Sequence, residues 1–272
     1  MKKQEIYWLE RFKDPALILN MPLDFPRPAV WSGEGGSLNF QLDREFITRI
    51  RDLSVETGTT LYVILLAVVN IILFIYTGQG DITVGSPMAG RVHANIERLI
   101  GIFVNMLAMR NHPTEEKTVE EFLEEVKKNT FDAFANQEYP FENLVRKLGR
   151  RPAAGRNNPL FDVVLAVQNM PVGDMKIENL QVTPYEDTRL TMNQYDLLIQ
   201  AVEGKDTIDM RLEYSISLFK PPTAEQIVKH FIEVLKQVVD HQDMKLKDIA
   251  ISQHLLAAQP GILHDDDSDF RL

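Results

Sequence analysis

Ile100–Arg110 reads IGIFVNMLAMR. A glycine opens the stretch, apolar residues fill it and one asparagine interrupts it. From Val104 to Met109 it has the near-continuous apolar character of a strand buried in a sheet, carrying one amide, Asn105, that must find a hydrogen-bonding partner there. Arg110 closes it with a charge that also needs company. Alone, the stretch predicts a central core strand whose asparagine is hydrogen-bonded.

Working upstream, Leu61–Tyr76 (LYVILLAVVNIILFIY) is the most apolar run of the chain. It is shorter than the roughly twenty residues a membrane span needs and lacks a flanking basic cluster, so it predicts a helix buried on all sides. The residues Thr77–Gly80 end it, and Asp81–Gly85 begin a strand expected to break at Ser86 and Pro87, leaving VGSPMAGR as a bent, glycine-rimmed loop. Earlier, Ser37–Leu42 alternates as a strand. Asp43 then caps a helix running to about Thr57, with Phe46, Ile47, Ile50 and Leu53 facing inward and Gly58 as its stop. Asn20–Pro28 (NMPLDFPRP) is an extended arm by its prolines. Glu5–Phe12 is a short helix with Ile6, Leu9 and Phe12 on one face.

Downstream, Thr118 and Glu121 form a capping box ahead of a helix to about Ala135, with Phe122, Val126 and Phe131 among its residues at helical spacing. Pro140 starts another helix, backed by Phe141, Leu144, Val145 and Leu148. A basic loop runs from Gly149 to Asn158. Strand patterns follow at Leu160–Gln168, Ile177–Thr183, Tyr195–Glu203 and Thr207–Ser215, with antiparallel neighbours expected. Thr223–Val239 closes the fold as an amphipathic helix. The predicted class is α/β, in the α+β sense of a mixed sheet with packed helices. Residues 1–250 form one unit, and residues 251–272, which carry HDDDSDF, form an acidic tail or linker expected to be mobile.

Composition narrows the function. The chain has 272 residues, 44% of them hydrophobic, with a formal net charge of −10. That charge argues against a phosphate-neutralising nucleic-acid surface and favours small molecules or protein partners. The absence of cysteine removes disulfides, thiolate nucleophiles and cysteine zinc sites. No signal-peptide pattern opens the chain, so cytoplasm is expected and no membrane. There is no phosphate loop or dinucleotide fingerprint, and Ser86 lacks the spacing of a nucleophile elbow. The six histidines, His93, His112, His230, His241, His254 and His264, show no metal-ligand spacing. No catalytic residue and no metal ligand is assigned.

Three segments in order, IGIFVNMLAMR, NQEYPFENLV and RNNPLFDVVLAVQN, resemble the downstream signature motifs of nonribosomal peptide synthetase condensation domains. YWLERF, MPLDFPRPAV, TLYVILLAVVNIIL, YTGQGDITVGSPMAGR and LEYSISLF also resemble that family, so the resemblance covers roughly Glu5 to Ile249. Departures occur at Met106, where a threonine is usual, at Asn136, where a histidine is usual, and in the loop ahead of Arg156. The family's HHxxxDG motif is absent: no two histidines are adjacent in this chain.

The resemblance implies a chloramphenicol acetyltransferase-like (CoA-dependent acyltransferase) lobe, namely the C-terminal lobe of a two-lobed domain. Such a domain joins a carrier-bound acyl or peptidyl thioester to a carrier-bound aminoacyl amine, making an amide, in antibiotic and related secondary-metabolite biosynthesis. This lobe would form one wall of the tunnel and be inactive alone. By the same resemblance, Gly85, Ser86, Pro87 and Arg91 lie at the tunnel floor and Gly101 in the loop beside it. Asn105 and Arg110 support the wall, while Gln137, Pro140, Phe141 and Glu142 fix a helix start at the cleft. Arg156, Asn158 and Pro159 brace the strand at Leu160. No cofactor is bound directly. The phosphopantetheine arms belong to donor and acceptor peptidyl carrier proteins, which are expected partners along with the first lobe and adjacent synthetase domains. A latch to the first lobe is expected between Gln168 and Tyr195. The alternative is a noncatalytic carrier-protein docking or scaffold module of the same fold.

Overall fold

The computed structural model describes residues 1–91, 93–96, 99–168, 191–204, 206–252 and 255. The expected strand at Ile177–Thr183, most of the expected latch and nearly all of the acidic tail lie outside the described residues.

The elements are α1 (Lys2–Arg11), β1 (Glu34–Leu42), α2 (Arg44–Thr57), α3 (Leu61–Thr77), β2 (Ile82–Met88), β3 (Asn105–Asn111), α4 (Val119–Ala135), α5 (Phe141–Leu148), β4 (Val163–Gln168), β5 (Thr191–Met192), β6 (Leu197–Glu203), β7 (Ile208–Ser215) and α6 (Pro221–Asp240). They build one mixed sheet in the order β3-β2-β4-β6-β7-β1-β5. The pairs β2–β4 and β4–β6 are parallel, and the other neighbours are antiparallel. Along β7 the side chains of Ile208, Met210, Leu212 and Tyr214 are buried while Asp209, Arg211 and Glu213 are not, the period-two signature of a sheet with one covered face. Helices α3 and α6 pack on that face, where Val69, Ile72 and Phe231 meet Val163, Leu197 and Ile199.

α3 is the centre of the core. Thr60 caps it by accepting from the Val63 amide, Gly78 ends it at φ 64, and every residue from Val63 to Leu73 is buried. Asn70 pairs in part within its own helix, donating from Nδ2 to the Leu66 carbonyl at 2.7 Å, while its buried Oδ1 has no partner among the described residues. No single described helix is long and apolar enough to cross a membrane. The capping box at Thr118 is complete, with both reciprocal hydrogen bonds formed.

Several expectations are corrected. Among the described strands β3 lies at the edge of the sheet, not at its centre, and begins only at Asn105; Ile100, Ile102 and Val104 before it are exposed. β2 does not break at Ser86 and Pro87 but runs on to Met88, because Pro87 pairs with Met106 and the buried Ser86 hydroxyl donates to the Leu165 carbonyl of β4 at 3.1 Å. A side chain thus supplies a cross-strand hydrogen bond beside the residue that lacks an N–H. β1 starts at Glu34, ahead of the expected Ser37, with Gly35 and Gly36 inside it. At Gly36 a Cβ would lie 2.6 Å from the Tyr214 ring, so glycine lets that ring pack on the strand. Of the expected antiparallel neighbours, Tyr195–Glu203 and Thr207–Ser215 pair antiparallel as β6 and β7, and β4 lies beside β6 in parallel. Ile6 and Phe131 are exposed, and Trp8 is buried in α1 instead, with its Nε1 donating to the Asn136 carbonyl at 2.9 Å.

Candidate functional site

Because β2 and β4 are parallel, their C-terminal ends at Met88 and Gln168 open on one side of the sheet, next to the start of antiparallel β3 at Asn105. A cleft of about 880 Å³ lies there, bounded by Thr60–Tyr62 at the start of α3, Pro87–Arg91, Val104, Phe134, Gln137, Ala166–Gln168 and Glu203. A smaller hollow of about 330 Å³ adjoins it and shares Gly90, Val104 and Gln137. The wall is largely apolar, with a few polar groups near its edges, the usual make-up of a site for an extended organic ligand. Burial pushes the Tyr62 hydroxyl well above the usual phenol range, so it stands in the wall as a neutral group.

The rim is held rigidly. Gly90 has φ 66, and a Cβ there would sit 1.8 Å from the Phe103 carbonyl oxygen, so only glycine permits this close approach of two backbone segments. The Arg91 guanidinium lies 4.4 Å over the Phe103 ring and donates to the carbonyls of Ile96 and Gly101. Arg91 therefore closes its own loop on Gly101. Gly85 lies under the Phe161 ring, where a Cβ would come within 2.3 Å of Cε2.

Asn105 finds its partners in the segment between α4 and α5. Its Nδ2 donates to the carbonyls of Gln137 at 2.7 Å and Tyr139 at 2.9 Å, and its Oδ1 accepts from the Phe141 amide at 3.1 Å. Gln137 itself donates to the Phe134 carbonyl at 2.9 Å. Pro140 precedes the first turn of α5 with φ −63, Phe141 packs its ring 5.4 Å from that of Phe161, and Glu142 is exposed at the edge of the smaller hollow.

The remaining candidates lie at the opposite end of the sheet. Arg110 grips Asp81 through Nε at 2.8 Å and Nη2 at 2.6 Å, and donates from Nη1 to the carbonyls of Arg11 and Asp14. Arg156 forms an ion pair with Asp162 and donates to the Leu19 carbonyl at 3.1 Å. Asn158 folds back on its own chain to accept from the amides of Leu160 and Phe161, with Pro159 between. These residues brace strand starts and the N-terminal arm, and the structure does not bring them to the cleft. The cleft instead takes in Thr60, Tyr62, Phe134, Gln168 and Glu203, none of them singled out by the sequence. Their common signal is position: each lies at or near the end of an element that opens on this side of the sheet.

Comparison with known proteins gives this geometry a family. A family model described as "Condensation domain" matches residues 1–257. Tyrocidine synthase 2 of Brevibacillus parabrevis is 41% identical over 263 residues, which is 96% of this chain and 7% of that protein. Gramicidin S synthase 2 of Brevibacillus brevis is 42% identical over 91% of this chain and 6% of that protein. The chain therefore spans less than a tenth of the length of these relatives. In fold it is similar to a four-domain nonribosomal peptide synthetase bound to AMP and glycine, with TM-score 0.81 and 22% identity over 92% of this chain and 20% of that one. It is equally similar to the X-domain from teicoplanin biosynthesis, with TM-score 0.82 and 22% identity over 92% of this chain and 57% of that one. The chain belongs to the condensation-domain family of nonribosomal peptide synthetases.

Proposed function

We propose that the chain is the C-terminal lobe of an amide-forming condensation domain and that the cleft at Pro87–Arg91 is its share of the substrate tunnel. The observation that carries this reading is the union, in one cleft, of the GSPMAGR strand end with Val104 and Gln137 from two of the family-like motifs. The wall fits an extended phosphopantetheine arm carried in by a partner protein. It is apolar along Met88, Val104 and Val167, its rim is bare backbone at Gly90, and Gln137 and Gln168 offer amides at the edges.

The chemistry is attack of a carrier-bound amine on a carrier-bound thioester carbonyl. Orientation of two tethered reactants is the main effect open to a wall of this kind. Proton transfer belongs to the HHxxxDG histidine, which is absent from these 272 residues. A positioned general base is worth about 10²- to 10⁴-fold in rate, so the lobe alone is inactive.

The test mixes this chain with a separately produced first lobe, bearing HHxxxDG, and two loaded carrier proteins. Dipeptidyl product in mass spectrometry is expected only when both lobes are present. Product from this chain without the first lobe would overturn the assignment of roles.

A further inference from the structure

Gln137 stands where the cleft and the smaller hollow meet, and it lines both. Its peptide groups are pinned first. The Gln137 amide donates to the Phe134 carbonyl at 3.3 Å, and the Gln137 carbonyl accepts from Asn105 Nδ2 at 2.7 Å. The side chain is then fixed at one end, because Nε2 also donates to the Phe134 carbonyl, at 2.9 Å. A carbonyl can only accept, so the end of the carboxamide facing Phe134 is the nitrogen and Oε1 is turned the other way. Oε1 accepts from no group of the protein among the described residues, and it is not sealed off from solvent.

The other polar groups of the cleft are committed elsewhere or lie at its margin. Thr60 Oγ1 accepts from the Val63 amide as a helix cap, the Arg91 guanidinium closes its own loop, and the Tyr62 hydroxyl is buried in the wall. Gln168 and Glu203 are exposed strand ends, and Glu203 lies 3.9 Å from Arg51. Gln137 Oε1 is thus a fixed acceptor on a wall shared with the apolar side chains of Met88, Val104 and Phe134.

A phosphopantetheine arm carries two secondary amides. Passing along an apolar wall it loses water from both, and an N–H left there without an acceptor is costly. With the cleft taken as part of the substrate tunnel, a reading on which this step depends, we infer that Gln137 Oε1 accepts from one of these amide N–H groups and so sets how far the arm reaches in. Asn105 acts behind it, since the hydrogen bonds that join β3 to α5 also hold the Gln137 carbonyl.

The test uses this chain together with the separate first lobe, and carriers whose arms have each amide replaced in turn by an ester, which removes the N–H and keeps the length. For the parent, one of these replacements, on one of the two carriers, should raise KM for that carrier about three- to tenfold with kcat nearly unchanged. That is the effect of losing one hydrogen bond made alike in ground and transition states. Gln137→Met, which keeps the length of the side chain and removes the acceptor, should raise KM for the amide arm by a similar factor. The variant should then be indifferent to the sensitive ester replacement, because the partner atom is gone. A purely structural role for Gln137 would leave the ester effect in full in the variant, and that additivity would overturn the inference. A parent for which neither ester matters would overturn it as well. No dipeptidyl product from the parent and first lobe with natural arms would instead overturn the tunnel reading and the inference together, so the two failures are told apart.

Discussion

The side chain of Asn105 directs all three of its hydrogen bonds to residues 137–141, so the start of β3 and the start of α5 are one structure joined by an amide. Asn105→Ala removes two donors and one acceptor while leaving their partners half-buried. At about 1 kcal/mol per hydrogen bond, it should cost about 2–3 kcal/mol, read as a lower urea midpoint with unchanged m-value. A loss under half that would mean water replaces the amide. At Glu116 the balance is electrostatic. Hydrogen bonds from Lys245 and Lys247, each at 2.7 Å, pull its carboxyl down to about 2 from an ordinary 4.5. The unfolded chain takes up that proton at higher pH than the folded one. The contribution to stability is therefore complete above about 4.5 and is lost as pH falls towards 2. The carboxylate is fully exposed, so the effect is small and salt-sensitive. Glu116→Gln should melt below the parent at neutral pH, and the gap should close between pH 4.5 and 2. A gap independent of pH and salt would assign the residue another role.

Among the elements, the proline-rich arm is held at several points, and one of them requires a glycine. Arg27 pairs with Asp196, the Asp24 and Phe25 amides donate to Leu218, and Gly155 donates to the Ala29 carbonyl at 3.1 Å. At Gly155, φ is 70 and a Cβ would lie 2.0 Å from the Pro28 carbonyl oxygen. Gly155→Ala adds about 1–2 kcal/mol of left-handed backbone strain to that clash, so the arm should lift. Faster hydrogen exchange at the Asp24 and Phe25 amides, with α3 and the sheet intact by circular dichroism, is the expected result. The arm itself was readable in the sequence, as were the capped helices at Asp43 and Thr118, because proline content and caps are local signals. What escaped is non-local. The continuation of β2 through Ser86 and Pro87 depends on a hydroxyl reaching Leu165 on another strand. The edge position of β3 and the parallel pairing of β4 with β6 depend on topology that no residue in either strand encodes. For the site, motif residues were legible as a group. Their division between the two ends of the sheet was not, since Asn105 and Arg110, five positions apart, point their polar groups to partners at opposite ends of one strand.

For the whole molecule, the loop entering β3 sets the behaviour in solution. Leu99, Ile100, Ile102 and Val104 are exposed although the sequence pattern there reads as core. Arg91 and Gly90 fix the loop against Phe103, so these side chains are displayed and cannot fold away. An apolar group held at the rim of a cleft is what a partner surface covers, and on the proposed reading that partner is the first lobe. The same surface, uncovered, should bind a second copy. Sedimentation velocity on the chain alone should show concentration-dependent association, and Ile100→Lys/Ile102→Lys should suppress it without lowering the melting temperature, because neither side chain is buried in the monomer. Adding the separate first lobe should suppress it as well, replacing the self-associated species with a one-to-one complex. A chain that stays monomeric at high concentration would mean that the loop is too small a patch to drive association. An association that survives both the lysine substitutions and the first lobe would place the sticky surface elsewhere.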